Sequence, residues 1–407
     1  MRKDILTVIL LTVLASTVSC RRNPVEGDTP EARMRFSVTG VEQLQGKSII
    51  EDISGLKAAC TPTISGSTIT YKESVGIWAD MDYLGTTREN LLPNVELAYY
   101  AKAGGNDEGW NYNFGSDEEY WTLGAVYRFR AYYPQQALAA LGNDGIMENS
   151  SAKTFMVNYN TLQMQEDLLV DYIEVDTKIW PDLSKPLEVE LKHAMSALRF
   201  KIQFKYNSED QYYDSDYLTS CWFTNTDNDG FKTIGIMAYG VTEGGIYNAD
   251  KIVWYPQYAT PKGDKFYRWE NDGLHFWNEQ TGSSAQYKPD SECHPAIAYS
   301  VAPGAGQAGK NFSGSNGWLM IIPQESNGDV QFCFTTRTGG SDNVYSVPLP
   351  EITGTSNAAG GPDPDGREWI PGYRYTYTIS ITKSDLEVLK VDIAPWNKYD
   401  SSNDIVM

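Results

Sequence analysis

The sequence predicts an all-β protein built as two β-sandwiches in tandem. Three observations carry this. From residue 33 onward, short runs of Val, Ile, Phe and Tyr alternate with polar residues, the period of a strand with one buried face. Stretches rich in Gly, Pro, Asn and Asp punctuate these runs, as turns between strands require. Helical periodicity is scarce, with only residues 135–141 (QQALAAL) offering about two turns. One sandwich uses about 100 residues, too few for a chain of 407. Two sandwiches with long loops are therefore expected.

Met34, Phe36 and Val38 alternate with Arg35, Ser37 and Thr39, which predicts a half-buried first strand. Residues 75–79 (VGIWA) and 95–100 (VELAYY) follow. Residues 121–133 (WTLGAVYRFRAYY) alternate Val, Tyr and Phe and close at Pro134, which cannot donate to a ladder. Runs at 156–159 and 168–175 come next. The strongest alternation is Leu187, Val189 and Leu191, then Leu198, Phe200, Ile202, Phe204 and Tyr206. Later runs fall at 234–239, 296–301, 318–322, 330–335, 373–381 and 386–393. The boundary between sandwiches is expected in residues 180–186 (WPDLSKP), where two prolines precede the strongest strand pair. This gives a leader over 1–19, a tether over 20–32, a first sandwich over 33–182 and a second over 183–407. Gly-rich residues 304–317 and 355–366 read as surface loops. No repeat of 20–50 residues is present, so a solenoid or propeller is not supported.

Charge and composition exclude several functions. The chain carries 33 Lys+Arg against 53 Asp+Glu, a net charge of −20. Nucleic acid needs clustered cations, and so does a polybasic membrane surface. Hydrophobic residues make up 41%, enough for a core, which argues against wholesale disorder. With three His in the chain, a His-built metal or acid–base site is not expected.

The first residues read as an export signal. Arg2 and Lys3 precede an apolar stretch over residues 5–15 (ILTVILLTVLA). It is too short to span a bilayer, which takes about 20 residues, and suits a secretory leader. It runs into Thr17, Val18, Ser19 and Cys20, which resembles a bacterial lipobox. Cys20 is the expected site of diacylglycerol attachment. The following RRNPVEGDTPEA has little apolar content and reads as a tether. Four cysteines remain, Cys60, Cys221, Cys293 and Cys333. Their wide spacing, without C-x-x-C, does not suit zinc. They are either bridged, in one of three full pairings, or buried free thiols; Cys333 sits in the alternating run 330–335.

The order of motifs then becomes informative. Trp121, Gly124, Tyr127, Phe129, Ala131, Tyr132, Tyr133 and Pro134 form W-x-x-G-x-x-Y-x-F-x-A-Y-Y-P. Residues 187–202 follow as L-x-V-x-L-x-H-A-M-S-A-L-x-F-x-I, with His193 inside. Next come residues 318–324 (WLMIIPQ), then Trp369, Gly372, Tyr373, Tyr375, Tyr377, Ile379 and Ile381, and a closing Trp396. Together with the lipobox, these resemble the fimbrillin family of Bacteroidales surface lipoproteins, the pilins and accessory subunits of type V pili. The resemblance spans nearly the whole chain.

The resemblance implies two transthyretin-like Greek-key β-sandwiches, export to the outer membrane as a lipoprotein, and no catalysis or cofactor. In polymerising members a trypsin-like protease cuts after an Arg and removes the first strand. The opened groove then accepts a donor strand from a neighbouring subunit, by β-augmentation. The implied partners are other pilus subunits by strand complementation, a host or bacterial surface receptor, and the outer membrane through a lipid anchor. Nucleic acid is not among them.

Here the arginines before the first domain's body are Arg21, Arg22, Arg33 and Arg35. Cutting after Arg33 releases only the hydrophilic tether and keeps residues 34–38. Removing that strand needs a cut between Gly40 and Pro62, where the basic residues are Lys47 and Lys57. The tail after Trp396 (NKYDSSNDIVM) is short and polar. Residues 386–393 alternate and are expected as the last core strand, with donor strand as the alternative. These features favour an accessory, tip or anchor subunit, or a stand-alone adhesin, over a stalk pilin. Arg33 and Arg35 are the candidate processing positions.

Other candidate sites are less specific. His193 is in phase with Leu187, Val189 and Leu191 and is expected as a buried His bonded to backbone. His275 and His294 have no partner pattern for nucleophilic catalysis. Residues 227–230 (DNDG) partly resemble a calcium loop but lack the Glu at position twelve; Asp363 and Asp365 are similar. Solvated turns are expected at both. Trp110 and Tyr112 in a Gly/Asn-rich stretch, and Trp254, Tyr255 and Tyr258 in a Pro-punctuated one, are the candidate ligand-contact aromatics. The competing function is an outer-membrane glycan-binding lipoprotein, which would present coplanar exposed aromatics flanked by polar groups. A hydrolase would need two carboxylates across a cleft, and no pair in the sequence identifies itself.

Overall fold

A computed structural model of the chain describes residues 33–39, 53–65, 68–100, 109–112, 119–140, 146–149, 154–179, 182–204, 217–243, 246–270, 273–278, 283–286, 297–301, 318–325, 328–338, 341–349, 368–381 and 386–395. Cys20, the leader and tether, Lys47, Cys293, His294, Asp363, Asp365, the two Gly-rich segments, Trp396 and the tail lie outside them.

In chain order the elements begin with β1 (Phe36–Thr39), α1 (Ile53–Ala59), β2 (Thr63–Ser65), β3 (Thr68–Thr70), β4 (Val75–Tyr83), β5 (Thr86–Tyr100) and β6 (Gly109–Tyr112). Then come β7 (Val126–Tyr133), α2 (Gln135–Ala140), β8 (Ile146–Asn149), β9 (Thr154–Asn160), β10 (Leu169–Asp176), β11 (Leu187–Glu190), β12 (Lys192–His193) and β13 (Ser196–Phe204). The chain continues through β14 (Tyr217–Asn225), β15 (Lys232–Glu243), β16 (Ile246–Ala259), β17 (Lys265–Glu270), β18 (Gly273–Asn278), β19 (Ser283–Gln286), β20 (Ile297–Val301) and β21 (Leu319–Ile321). It ends with β22 (Gln324–Glu325), β23 (Val330–Thr338), β24 (Ser341–Pro348), β25 (Glu368–Trp369), β26 (Tyr373–Ile381) and β27 (Leu386–Pro395). The fold is all-β, in several sheets.

Three cores organise these sheets. In the first, six strands in the order β12-β10-β7-β4-β5-β6 face the parallel pair β1-β11. Phe36, Val38, Leu187 and Val189 from the pair meet Ile77, Leu97, Tyr127, Phe129 and Val175 from the larger sheet. In the second, β20-β13-β26-β27 with β21 faces β19-β18-β17-β14-β23-β24. Phe200 there stacks on Phe332 at 4.2 Å and on Tyr377 at 5.3 Å between ring centroids. The third core lies under the four-stranded sheet β16-β15-β9-β8. Val157, Tyr159, Met237, Tyr239 and Trp254 meet Val170 and Tyr172 of β10 and Ala197 and Met320 of β13 and β21.

Alternation explains how one strand serves two cores. Along β10, Leu169 and Val175 enter the first core while Val170 and Tyr172 enter the third. On β21, Leu319 and Ile321 enter the second core and Met320 the third. Successive side chains point to opposite faces, so a strand covered on both faces reads as an unbroken apolar run. This accounts for the continuous stretches at 168–170 and 318–322.

Strand pairings cross the boundary expected at 180–186. β11 follows it yet pairs with β1 (Phe36↔Leu187, Val38↔Val189), and β12 pairs with β10. β9 precedes it yet pairs with β15 along Ile234↔Asn160 to Tyr239↔Phe155.

Local polar groups fix the joints. The Glu73 carboxylate accepts N–H bonds from Ser74 (2.9 Å), Gln136 (2.6 Å) and Ala137 (3.1 Å). It thereby satisfies free donors at the start of α2. Arg130 pairs with Asp80 at 2.8 Å, both buried. Cys60, Cys221 and Cys333 are free, buried thiols. Cys221 pairs with Phe334 and Trp222 with Cys333 on β14 and β23, so the two sulfurs leave opposite faces of the sheet. Burial pushes the Cys60 and Cys221 thiols well above their ordinary range.

Candidate functional site

The first strand packs into a groove of the first core. Met34, Phe36 and Val38 are 1%, 4% and 2% exposed, while the intervening Arg35 faces solvent. The ring of Phe36 makes edge contacts with Tyr112 at 5.5 Å and Phe129 at 5.7 Å. Burying a Met, Phe or Val side chain is worth about 1.5–3 kcal/mol. Together the three supply roughly 5–9 kcal/mol, comparable with the whole stability of an ordinary domain, about 5–15 kcal/mol.

The backbone leading into this strand is tied down by several bonds. Met34 N–H donates to the Glu119 carbonyl at 2.9 Å, and Arg33 bridges Tyr120. Leu187 N–H donates to the Arg35 carbonyl at 2.7 Å, and the Arg35 guanidinium donates to the Ser184 carbonyl. The Arg33–Met34 bond lies before the first buried residue. The Arg35–Phe36 bond lies inside the ladder. Lys57 sits on α1 with its ammonium 4.7 Å from the Tyr99 ring, and the carbonyl of Lys57 accepts from Thr61 Oγ1 at 2.6 Å.

At the other end of the chain, β27 pairs with β26 from Tyr373↔Pro395 to Ile381↔Leu386. Residues 386–393 therefore complete their own sheet.

His193 is buried, as expected, but its partner is a carboxylate. Its Nδ1 donates to Asp167 Oδ2 at 2.6 Å. Sequence hides this because Asp167 lies 26 residues upstream. The 227–230 turn is closed by protein groups. Asp227 Oδ1 accepts from Asp229 N–H at 3.1 Å, Asn228 Oδ1 accepts from Lys262 N–H at 3.1 Å, and Lys232 pairs with Asp229. Among the described residues, no cluster of three or more His, Cys, Asp or Glu is placed to hold a metal. His275 lies on β18.

The candidate aromatics divide. Trp110 and Tyr112 are not on an exposed loop: they lie on the edge strand β6, buried, with Tyr112 hydroxyl accepting from Glu119 N–H at 3.1 Å. A four-residue strand flanked by Gly and Asn has the composition of a loop. Trp254 is likewise buried, donating Nε1–H to the Ala194 carbonyl at 2.6 Å in the third core. Tyr255 and Tyr258 are 50% and 64% exposed on β16, an edge strand where Pro256 is tolerated. Tyr255 pairs with Ile236 and Tyr258 with Ile234, the register shifting between them. That bulge puts both tyrosines on one face. Asn158 and Asn160 lie across β15 in the same rows. Nothing in the local sequence marked these two asparagines as neighbours of the tyrosines.

A family model described as fimbrillin-like matches residues 61–396. Among solved structures, the chain is similar to a fimbrial protein from Bacteroides vulgatus. The TM-score is 0.51 and identity 13%, over 89% of this chain and 99% of that one. A protein assigned to cell adhesion from Bacteroides uniformis aligns with TM-score 0.43 and 14% identity, over 91% and 100% of the two chains. Another from Bacteroides ovatus aligns with TM-score 0.40 and 11% identity, over 90% and 98%. No curated protein matches the sequence.

Proposed function

The chain belongs to the fimbrillin-like family, and from that premise we propose that it is an accessory, tip or anchor subunit, or a stand-alone adhesin, anchored at the cell surface by a lipid on Cys20. As a fimbrillin-like protein it is a non-catalytic surface protein of adhesion and pilus assembly. We read its sheets as two transthyretin-like Greek-key sandwiches, and set the division near residue 194, after β12. Its partners in this reading are other pilus subunits, engaged through strand complementation, and a surface receptor. The location is the outer membrane.

One observation supports this role above the others. The first strand is buried through Met34, Phe36 and Val38, and Arg33 stands before it. A trypsin-like cut there leaves the groove filled, and a filled groove cannot accept a neighbour's strand. Arg35, the other candidate, is bonded within the ladder. The test is electrophoresis of surface-extracted protein in SDS without heating, before and after treatment with a trypsin-like protease. A monomer band in both lanes is expected. An SDS-resistant ladder would assign a stalk role.

A second reading, capture of a glycan at the outer membrane, is favoured by the shared face of Tyr255 and Tyr258 beside Asn158 and Asn160. Aromatic rings pack on the apolar faces of sugars, and side-chain amides supply donors and acceptors. Affinity electrophoresis in soluble polysaccharides tests it. Retardation that is lost in Tyr255→Ala/Tyr258→Ala would support it, and no retardation in any gel would remove it.

A further inference from the structure

One end of the six-stranded sheet carries apolar loop tips that the core does not use. Leu84 is 85% exposed, Leu123 70% and Ile179 81%. They belong to three adjacent strands. Asp82 on β4 pairs with Val126 at the start of β7, and Val126 pairs with Asp176 at the end of β10. Thr177 ties the last two loops together: its N–H donates to the Ala125 carbonyl at 3.0 Å and its hydroxyl to the Thr122 carbonyl at 2.9 Å. Gly124 lies against the side chains of Lys178 and Tyr83.

The hairpin tip is an unusual place for leucine. Tyr83 pairs with Thr86 across a two-residue turn, in which Leu84 has φ 51° and Gly85 φ 78°. Such turns favour Asn or Asp followed by Gly. A branched apolar side chain held there, facing water, serves neither the turn nor the core. Its exposure together with two neighbours points to a contact made outside the chain.

The chain enters at this same end. β1 runs parallel to β11, which leads to β12 beside the start of β10 at Leu169. Arg33, just before β1, therefore lies at the end away from Leu169, the end that carries the three tips, where it bridges Tyr120, itself 53% exposed. Cys20 precedes Arg33 by 33 − 20 = 13 residues, a reach of no more than about 45 Å. An anchor at Cys20 holds this end within that reach of the bilayer and raises its effective concentration there.

We propose that Leu84, Leu123 and Ile179 form a membrane contact that dips into the boundary between headgroups and acyl chains. The proposal rests on anchorage at Cys20. Most charges flanking the tips suit it, being held in pairs: Arg88 with Glu119 at 3.3 Å, Arg128 with Asp82 at 2.7 Å and Lys185 with Asp182 at 3.6 Å, while Lys178 beside Ile179 is an exposed cation free to meet headgroups. Apolar tips framed by paired charges bind by insertion, without a polybasic attraction.

The test uses the mature, full-length lipoprotein in vesicles of phosphatidylethanolamine and phosphatidylglycerol. A Leu123→Cys variant in a Cys293→Ser background takes an environment-sensitive fluorophore, the thiols of Cys60, Cys221 and Cys333 being buried. Val344→Cys on β24, 66% exposed, is the control. Mass spectrometry of the N-terminal peptide reads the lipid on Cys20 in the same sample. The expected result is quenching of the Leu123 label by doxyl lipids and loss of its quenching by aqueous iodide, with neither change at Val344. Changing Leu84 and Ile179 to Ser should reduce the lipid quenching. A lipidated chain whose Leu123 label stays open to iodide would overturn the contact while leaving the anchor intact. Shielding that appears only as protein concentration rises would make this end a subunit interface and overturn it too. An unmodified Cys20 would remove the anchor and the proposal with it.

Discussion

Single residues already show where this fold is vulnerable. Phe36 fills the space between Tyr112 and Phe129. Replacing a buried Phe by Ala typically costs about 3–5 kcal/mol. Phe36→Ala should therefore lower the urea midpoint markedly, whereas Ser37→Ala, one position along, should leave it nearly unchanged. Asp171 gives a prediction in pH. Its carboxylate accepts from Tyr172 N–H at 2.8 Å and Glu190 N–H at 2.7 Å, yet burial pushes it up to about 6 from an ordinary 3.8. The folded chain holds this proton more tightly than the unfolded one. The group therefore favours folding most when protonated in both states, and that advantage is lost as pH rises from about 4 to about 6. Relative to the wild type, Asp171→Asn should gain stability across that window and run parallel above it. Denaturant titrations at several pH values decide, and parallel profiles throughout would refute the assignment.

Elements follow from the same physics with a longer reach. β1 and the residue Met34 leading into it contribute three buried side chains, and β1 pairs with β11 alone among the described strands. A chain starting at residue 41 should lose thermal stability and regain it when a peptide of residues 33–40 (RMRFSVTG) is added. The same peptide with Phe36→Asp should not rescue it. Calorimetry with and without peptide reads this directly. Strands like β1 are legible in sequence because a single buried face imposes strict alternation, as Met34, Phe36 and Val38 show. β6 and β16 are not, because an edge strand tolerates Gly, Asn and Pro256, which read as loop. The pairing of β9 with β15 is invisible for another reason. It joins residues more than 70 apart, and no local pattern encodes a partner. Among the candidate aromatics, sequence finds the residues but not their faces: the register shift opposite Ile234 decides that Tyr255 and Tyr258 share one, while Trp254 turns inward.

At the scale of the molecule, the third core decides how the parts behave together. Val170 and Tyr172 of the first group of sheets and Ala197 and Met320 of the second pack under one shared sheet. A cavity there, as in Met237→Ala, should destabilise both groups and shift a common unfolding transition rather than split it; two separate calorimetric peaks would show that the core does not couple them. The surface role depends on a different property of the whole chain, namely that the first strand stays in its own groove after export. Sequencing the N-terminus of protein recovered from the cell surface measures this most directly. A start at the blocked Cys20 or at Met34 is predicted, since both retain β1. A start between residues 41 and 62 would mean that the groove is emptied for a neighbour's strand, and would contradict the account.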